Sequence, residues 1–511
     1  MNRRSMSLAA VSGLLLVVAF PSFNLPYLAW MALVPLCLAL AGQTVKNGFL
    51  LGGLAGLVFF AGTVHWVTNS VHFYGGVPLI PASLITLLLC LYLALYPALF
   101  GAALARLGAE RFPWLFISAP ALWTALELAR TYIFSGFPWS LLGYSQYRVL
   151  PLIQMADITG VYGVSFLIVM VNAALAGFII DRRKFSGLIV AVLTMAVVVT
   201  YGYLRLNAPY TPGQITISVV QGNIDQDKKW DPAFQSEVIS IYKRLTREAL
   251  KQHPELVIWP ETTTPFYFTG NNGADRALTA DLIAFTRSSR VPLLFGSPTY
   301  ERGPNRSVQL RNSAFLLTPQ GKIDAVYHKL HLVPFGEYVP LKSVLFFVDK
   351  MVQAIGDFQA GNEYTVMTVP ARGANVTLCT VICYEIIFPD LVRRFVDNGA
   401  SVITTITNDA WFGRTAAPYQ HFSMAVFRAV ENRVPVARAA NTGISGFIDS
   451  KGNILETSAI FTEACLTRAI APGGRKTFYT AHGDLFAYAC LAISLLLLAV
   501  RPRKKLPDNK R

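Results

Sequence analysis

Apolar residues crowd the two ends of this chain and thin out in its middle. Ahead of residue 208 they form runs close to the ~20 residues that a helix needs to cross the hydrocarbon core of a bilayer. Seven such runs are read there, at about 6–22, 26–42, 48–68, 78–105, 113–133, 159–180 and 187–204, and an eighth lies at 484–500. The fifth carries Glu127 and Arg130 near its end. Their i, i+3 spacing predicts a paired patch turned toward other helices. Between the two ends the period changes. Short β-rich runs fall at 215–221, 256–259, 292–296, 313–318, 376–382, 401–407, 434–440 and 444–449. Helix-length stretches near 233–252, 277–289, 386–397 and 417–431 separate several of them. Strands that are almost continuously apolar fit sheets buried on both faces, and their alternation with helices predicts an α/β domain. Asp449-Ser450-Lys451-Gly452 predicts a hairpin turn near its end.

Composition agrees with this division. Of 511 residues, 53% are hydrophobic and 14% charged, and the mean hydropathy is +0.44; a soluble enzyme carries about a quarter charged residues. The formal net charge of +15 suggests nucleic acid until it is located. Residues 206–475 hold 26 Lys/Arg against 23 Asp/Glu, and the rest of the chain 18 against 6. The surplus cations lie between apolar runs, where they mark the cytoplasmic side. With the N-terminus inside, the inner segments carry Arg3, Arg4, Lys46, Arg106, Arg111, Arg182, Arg183, Lys184 and a basic C-terminal tail, and the short outer ones only Arg148. The first run lacks a small-residue cleavage site and leads straight into the second, so it reads as an uncleaved anchor. Three parts follow: seven transmembrane helices over 1–207, a globular domain over 208–475 on the outer side, and an eighth helix with a basic cytoplasmic tail over 476–511. Nucleic acid is not an expected partner.

Three of the six cysteines, Cys379, Cys383 and Cys465, lie in the middle part. The count is odd and no metal-ligand spacing occurs, so at least one thiol stays free and neither metal nor cofactor is expected. Functional groups of layered α/β domains gather where strands end. Glu261 follows a strand in LVIWPE, Cys383 closes one in VTLCTVICYE, and Lys329 stands in YHKLHLVPFGEY with Glu337 eight residues on. Each alone is ordinary: such a cysteine is usually core, and such a glutamate or lysine usually solvated. Together they supply a nucleophile, a base to deprotonate it and a cation for the oxyanion that forms next. Glu337 is the candidate for orienting Lys329. His328, His331 and His421 read as surface histidines. Asn408-Asp409 and Asn441-Thr442-Gly443 follow strands and are candidates for lining the pocket. Segment 341–352, with Phe346, Phe347 and Met351, reads equally as a lipid-facing arm or as a helix packed on the domain.

WPE, HKLHLVPFGEY and VICYE, in that order over about 120 residues, resemble the three catalytic motifs of the nitrilase (carbon–nitrogen hydrolase) superfamily. A domain of that kind between seven spans and one is similar to the bacterial apolipoprotein N-acyltransferase family. The resemblance implies a polytopic α-helical membrane domain of eight spans plus an α/β nitrilase-like αββα sandwich, in the bacterial inner membrane with the sandwich in the periplasm. It implies a Glu261–Lys329–Cys383 triad, with Trp230, Glu337, Tyr384 and Glu385 at positions important for activity. It further implies a ping-pong reaction in which a phospholipid acylates the cysteine. The acyl chain then passes to the α-amine of the N-terminal S-diacylglyceryl cysteine of a lipoprotein. The first alternative is a membrane-tethered amidase or nitrilase hydrolysing a small amide. A transporter with a ligand-binding domain is the second; few intramembrane charges and no inverted repeat speak against it.

Overall fold

The structure, a computed structural model, describes residues 2–108, 114–209, 214–229, 231–302, 308–338 and 358–499. Trp230, segment 341–352 and the basic tail lie outside the described residues. Helices fill the N-terminal part: Arg3–Ala19, Val34–Leu40, Val45–Val64, Leu79–Leu107, Trp114–Tyr132, Ala156–Ile180 and Ser186–Leu206, with Leu485–Ala499 near the other end. Among the described residues four helical stretches are long and apolar enough to cross a membrane: Val45–Val64, Leu79–Leu107, Val161–Ile180 and Ser186–Leu206. Pro26–Leu40 and Leu485–Ala499 are shorter apolar helices. Val45–Val64 and Leu79–Leu107 meet where Gly48, Gly52 and Gly56 line one face. A Cβ at Gly52 would collide with the carbonyl of Pro97, so small residues at i, i+4 spacing are what let these backbones touch. Glu127 and Arg130 are buried as expected, and besides Trp123 Nε1, which donates to Glu127 Oε1 at 2.9 Å, they bind a loop. Glu127 Oε1 accepts from Leu142 N at 2.7 Å, and Arg130 Nη1 donates to the carbonyls of Phe137 and Trp139 at 3.2 and 2.5 Å.

The middle part holds two six-stranded sheets. The first runs β12 (Ala464–Ile470), β1 (Ile215–Gln221), β2 (Leu256–Ile258), β3 (Leu293–Arg302), β4 (Val308–Leu317), β5 (Ile323–His328). The second runs β11 (Ile454–Thr457), β10 (Gly446–Ile448), β9 (Val436–Ala440), β8 (Val402–Thr407), β7 (Ala374–Ile382), β6 (Val366–Ala371). Both share one pattern: three parallel strands in the middle, one antiparallel strand on one side and two on the other. Helices Gln235–Leu250 and Gly273–Ser289 connect β1, β2 and β3; Pro389–Asp397 and Ala417–Asn432 connect β7, β8 and β9. Side chains on β1 alternate as a strand requires. Ile215, Ile217 and Val219 join the core that also holds Leu378 and Ile403, whereas Val220 packs with Val238, Ile239 and Tyr242 of the first helix.

The continuous apolar runs correspond to strands, and the Asp449 turn forms: Gly452 N donates to Asp449 O at 3.0 Å, and Asp449 Oδ1 accepts from Lys451 N. β5, β6, β11 and β12 have no such run. They are outer strands, partly exposed along their length. Helix Ala417–Asn432 departs from the amphipathic norm. All its residues except Tyr419 are buried, because the helical bundle covers the face a soluble domain would leave wet. Arg428 Nη2 donates to Glu431 Oε1 and to Tyr144 Oη at 2.9 and 3.0 Å, and Val161 N donates to Glu431 Oε1 at 3.0 Å. Just beyond it, Arg433 and Asp157 pair at 2.9 Å.

Candidate active site

Glu261 stands just after β2, in a turn where Thr262 adopts φ +46°. Its carboxylate is nearly enclosed: Oε1 accepts from Asn312 Nδ2 at 2.7 Å and Oε2 from Asn408 N at 2.9 Å. Lys329 follows β5 directly, its backbone N–H held by Asn312 O at 2.9 Å. Its ammonium is 1% exposed, donates to Glu337 Oε1 at 2.9 Å and lies 3.7 Å from Glu261 Oε1. Glu337 is fixed in turn by Asn312 Nδ2 at 2.9 Å and Val333 N at 2.8 Å. One buried cation thus sits between two carboxylates that a single asparagine bridges. Burial alone would lower the Lys329 pKa, but Glu337 and then Glu261 more than offset it, so the ammonium stays charged.

Cys383 directly follows β7 and opens the 3₁₀ turn Cys383–Ile387 with φ +53°, in the left-handed region. The residue is half-buried. Burial, and after it the Glu261 carboxylate, push its thiol pKa up; Lys329 offsets part of this. The sulfur therefore carries a proton at rest, beside a carboxylate and a cation that both act on it. Glu385 ties this turn to the loop bearing Lys329. Its Oε1 accepts from Tyr327 Oη, Leu330 N and His331 N at 2.6, 2.7 and 3.1 Å, and its Oε2 from Ile382 N at 2.6 Å. Burial lifts the Glu385 pKa to about 7, against the pull of those donors. Tyr384 reaches toward the bundle, donating from Oη to Gly136 O at 3.2 Å.

The structure thus brings Glu261, Lys329, Cys383, Glu337 and Glu385 into one region, with Tyr384 beside them. Asn408 and Asn441 join it: Asn408 Nδ2 donates to Gln226 Oε1 and Asn441 Nδ2 to Asn408 Oδ1, at 2.7 and 3.0 Å. The surface reading of His421 is corrected. It is fully buried, 3.1 Å from the carbonyl of Cys383, because the helix that carries it is covered on both faces. His331 and His328 are partly buried; the His331 ring lies 3.9 Å from that of Phe388.

Two residues carried no sequence signal. Asn312 lies inside β4, where a polar residue reads as an outward-facing strand position. Lys229 falls in the polar run DQDKK, which reads as a solvated loop. It is in fact 1% exposed, and its Nζ donates to Glu261 O at 3.1 Å and Thr262 Oγ1 at 2.8 Å, holding the turn that presents Glu261. Burial lowers its pKa from 10.5 to about 8, though Glu261 and Cys383 pull the other way. Between those two values the unfolded chain binds the proton more tightly than the folded one, so stability from this group rises with pH through that window. Wild type should therefore gain on Lys229→Met between pH 8 and 10, by up to about 3 kcal/mol. Thermal unfolding in detergent across that range checks this; a pH-independent gap between the two proteins would contradict it.

A two-sheet α/β domain with a cysteine, a carboxylate and a lysine at adjoining strand ends defines a class, the carbon–nitrogen hydrolases. The carbon–nitrogen hydrolase family model matches residues 216–477. The model for the apolipoprotein N-acyltransferase N-terminal domain matches residues 12–174. The apolipoprotein N-acyltransferase of Geobacter metallireducens is 43% identical over 98% of this chain and 96% of its own. That of Methylococcus capsulatus is 34% identical over 98% and 97%, and that of Pasteurella multocida 32% over 97% and 94%. A solved nitrilase-superfamily amidase from Nesterenkonia AN1 covers 52% of this chain and 94% of its own, with TM-score 0.37 and 20% identity, a likeness too loose to bear on activity. The chain belongs to the apolipoprotein N-acyltransferase family.

Proposed function

We propose that this protein is an apolipoprotein N-acyltransferase of the bacterial inner membrane, with Glu261, Lys329 and Cys383 as its catalytic triad. The observation that carries the reading is the buried Lys329 ammonium 3.7 Å from the Glu261 carboxylate, both acting on the Cys383 thiol. Glu261 takes the thiol proton as Cys383 Sγ attacks the ester carbonyl of a phospholipid. Lys329 and the backbone N–H of Tyr384 hold the oxyanion of the tetrahedral intermediate. Its collapse breaks the C–O bond, the lysophospholipid oxygen takes the proton back from Glu261, and an acyl thioester remains. The α-amine of a diacylglyceryl cysteine, with a pKa near ~8, is partly neutral and attacks the thioester. Glu261 removes its proton and returns it to the departing sulfur. Glu337 orients Lys329, and Glu385 holds the Cys383 turn against the Lys329 loop. Trp230 and Tyr384 are the further residues expected to matter for activity.

Eight spans, with the catalytic domain over 208–475 in the periplasm and both termini in the cytoplasm, fit the charge of the connecting segments. A cysteine introduced at residue 300 should react with a membrane-impermeant maleimide in spheroplasts; labelling only after lysis would reverse the topology. The decisive assay supplies phospholipid and a diacylglyceryl-cysteine peptide and weighs the products. An acylated peptide supports transfer. Free fatty acid with unchanged peptide, or a small amide hydrolysed instead, favours a tethered hydrolase.

A further inference from the structure

A left-handed φ at a residue other than glycine costs about 1–2 kcal/mol, so the Cys383 turn has to be held in place by its surroundings. Glu385 grips it from one side. On the other, His421 Nε2 lies 3.1 Å from the carbonyl of Cys383, and a carbonyl only accepts, so Nε2 bears a proton. The opposite ring nitrogen, Nδ1, lies 3.1 Å from Asp409 Oδ1 and 3.0 Å from Arg438 Nη2. It is held in either charge state, accepting from Arg438 or donating to Asp409. Arg438 Nη2 donates to Asp409 Oδ2 at 2.9 Å and Thr407 Oγ1 to Asp409 Oδ1 at 2.8 Å. Thr407, Asp409, His421 and Arg438 are all 0% exposed. Trp139, from the loop that Arg130 holds, stacks on the imidazole with ring centres 5.7 Å apart and planes at 28°, and Phe412 meets it edge-on at 5.9 Å.

Burying an arginine, an aspartate and a histidine together is expensive and rarely improves stability over apolar packing. The reaction steps above use none of the three, yet their chain of contacts ends on the main chain of the nucleophile itself. The peptide unit they hold has a second end. A trans peptide plane is rigid, so its C=O and N–H point in opposite directions. Pinning the carbonyl of Cys383 therefore fixes where the N–H of Tyr384 points, and that N–H is the backbone donor assigned to the oxyanion.

We propose that His421, held by Asp409 and Arg438, is a positioning residue that locks the Cys383–Tyr384 peptide so that sulfur and oxyanion donor are set for the same carbonyl. The inference rests on Cys383 being the acylated nucleophile. Because the locked donor acts on charge that develops in the transition state, its loss should appear in the rate of acylation at saturating lipid and leave half-saturation in place.

The test follows acyl-enzyme formation on phospholipid vesicles by intact mass, using the full-length protein in detergent. His421→Leu should acylate about 100-fold more slowly at saturating phospholipid, with half-saturation unchanged. His421→Gln, whose amide can still donate to the carbonyl, should recover to within about tenfold of wild type. Asp409→Asn, which removes the charge steadying the ring, should show the same loss confined to the maximal rate, and it serves if the leucine variant does not fold. Wild-type rates in His421→Leu or Asp409→Asn, a loss appearing in half-saturation, or glutamine no better than leucine would overturn the proposal while leaving Cys383 as nucleophile. Absence of any adduct on wild type would remove the nucleophile reading, and this inference with it.

Discussion

Cys383→Ala should form no fatty-acyl adduct with phospholipid, and N-acylation of a diacylglyceryl peptide should fall by roughly 10⁶-fold, the scale on which removal of an attacking side chain acts. The expectation follows from the state of the thiol. Burial and the Glu261 carboxylate keep its proton on, so sulfur becomes reactive only when a base takes that proton during attack. No other described cysteine stands in for it: Cys379 is fully buried on β7, and Cys465 lies on β12, the strand at the end of the other sheet. The fold should survive, because Cys383 is half-buried and the turn is held by Glu385 through contacts that alanine leaves alone. Intact-mass analysis and thermal unfolding of the same sample check both halves. A persisting adduct would move the covalent step to another residue.

Glu261→Gln should lower the maximal rate by about 10²–10⁴-fold, the range over which a general base contributes. The substitution is nearly isosteric but meets donors on both sides. One carboxylate oxygen accepts from the side chain of Asn312 and the other from the backbone of Asn408. A glutamine amide must turn its NH₂ toward one of them. The backbone N–H cannot rotate away, whereas Asn312 can flip, since its Oδ1 has no partner among the described residues. That flip would withdraw the Asn312 donor from Glu337 as well, loosening the second carboxylate on Lys329. Single-turnover acylation should therefore slow sharply while the melting temperature moves little. Equal acylation rates in the two proteins would show that another group accepts the proton.

The parts that were legible in the sequence share one physical property, continuity. Central parallel strands buried on both faces give unbroken apolar runs, so β1, β7 and β8 stand out. The outer strands are half-solvated and do not. Glu261 and Cys383 are visible because strand ends are where polar groups interrupt such runs, whereas Lys329, past the half-solvated β5, is visible only through the stretch YHKLHLVPFGEY. Asn312, Lys229 and the true setting of His421 were not. Asn312 sits mid-strand, Lys229 in a polar run, and His421 on a helix whose outward face is buried only because a second body lies against it. Each acquires its role from residues far away in the chain, which local pattern does not encode. Glu127 and Arg130 illustrate the same limit: spacing pairs them with each other, but it does not show the loop that both also bind in the folded chain.

Helix Ala417–Asn432 belongs at once to the sandwich and to the bundle, and its buried Arg428 and Glu431 find their outer partners on Tyr144 and Val161. Chimaeras that exchange only the hydrolase half between relatives would strand those charges against an unmatched surface. Viable hybrids must carry the matching loops of the bundle with it, so the two halves of the gene are bound to drift together.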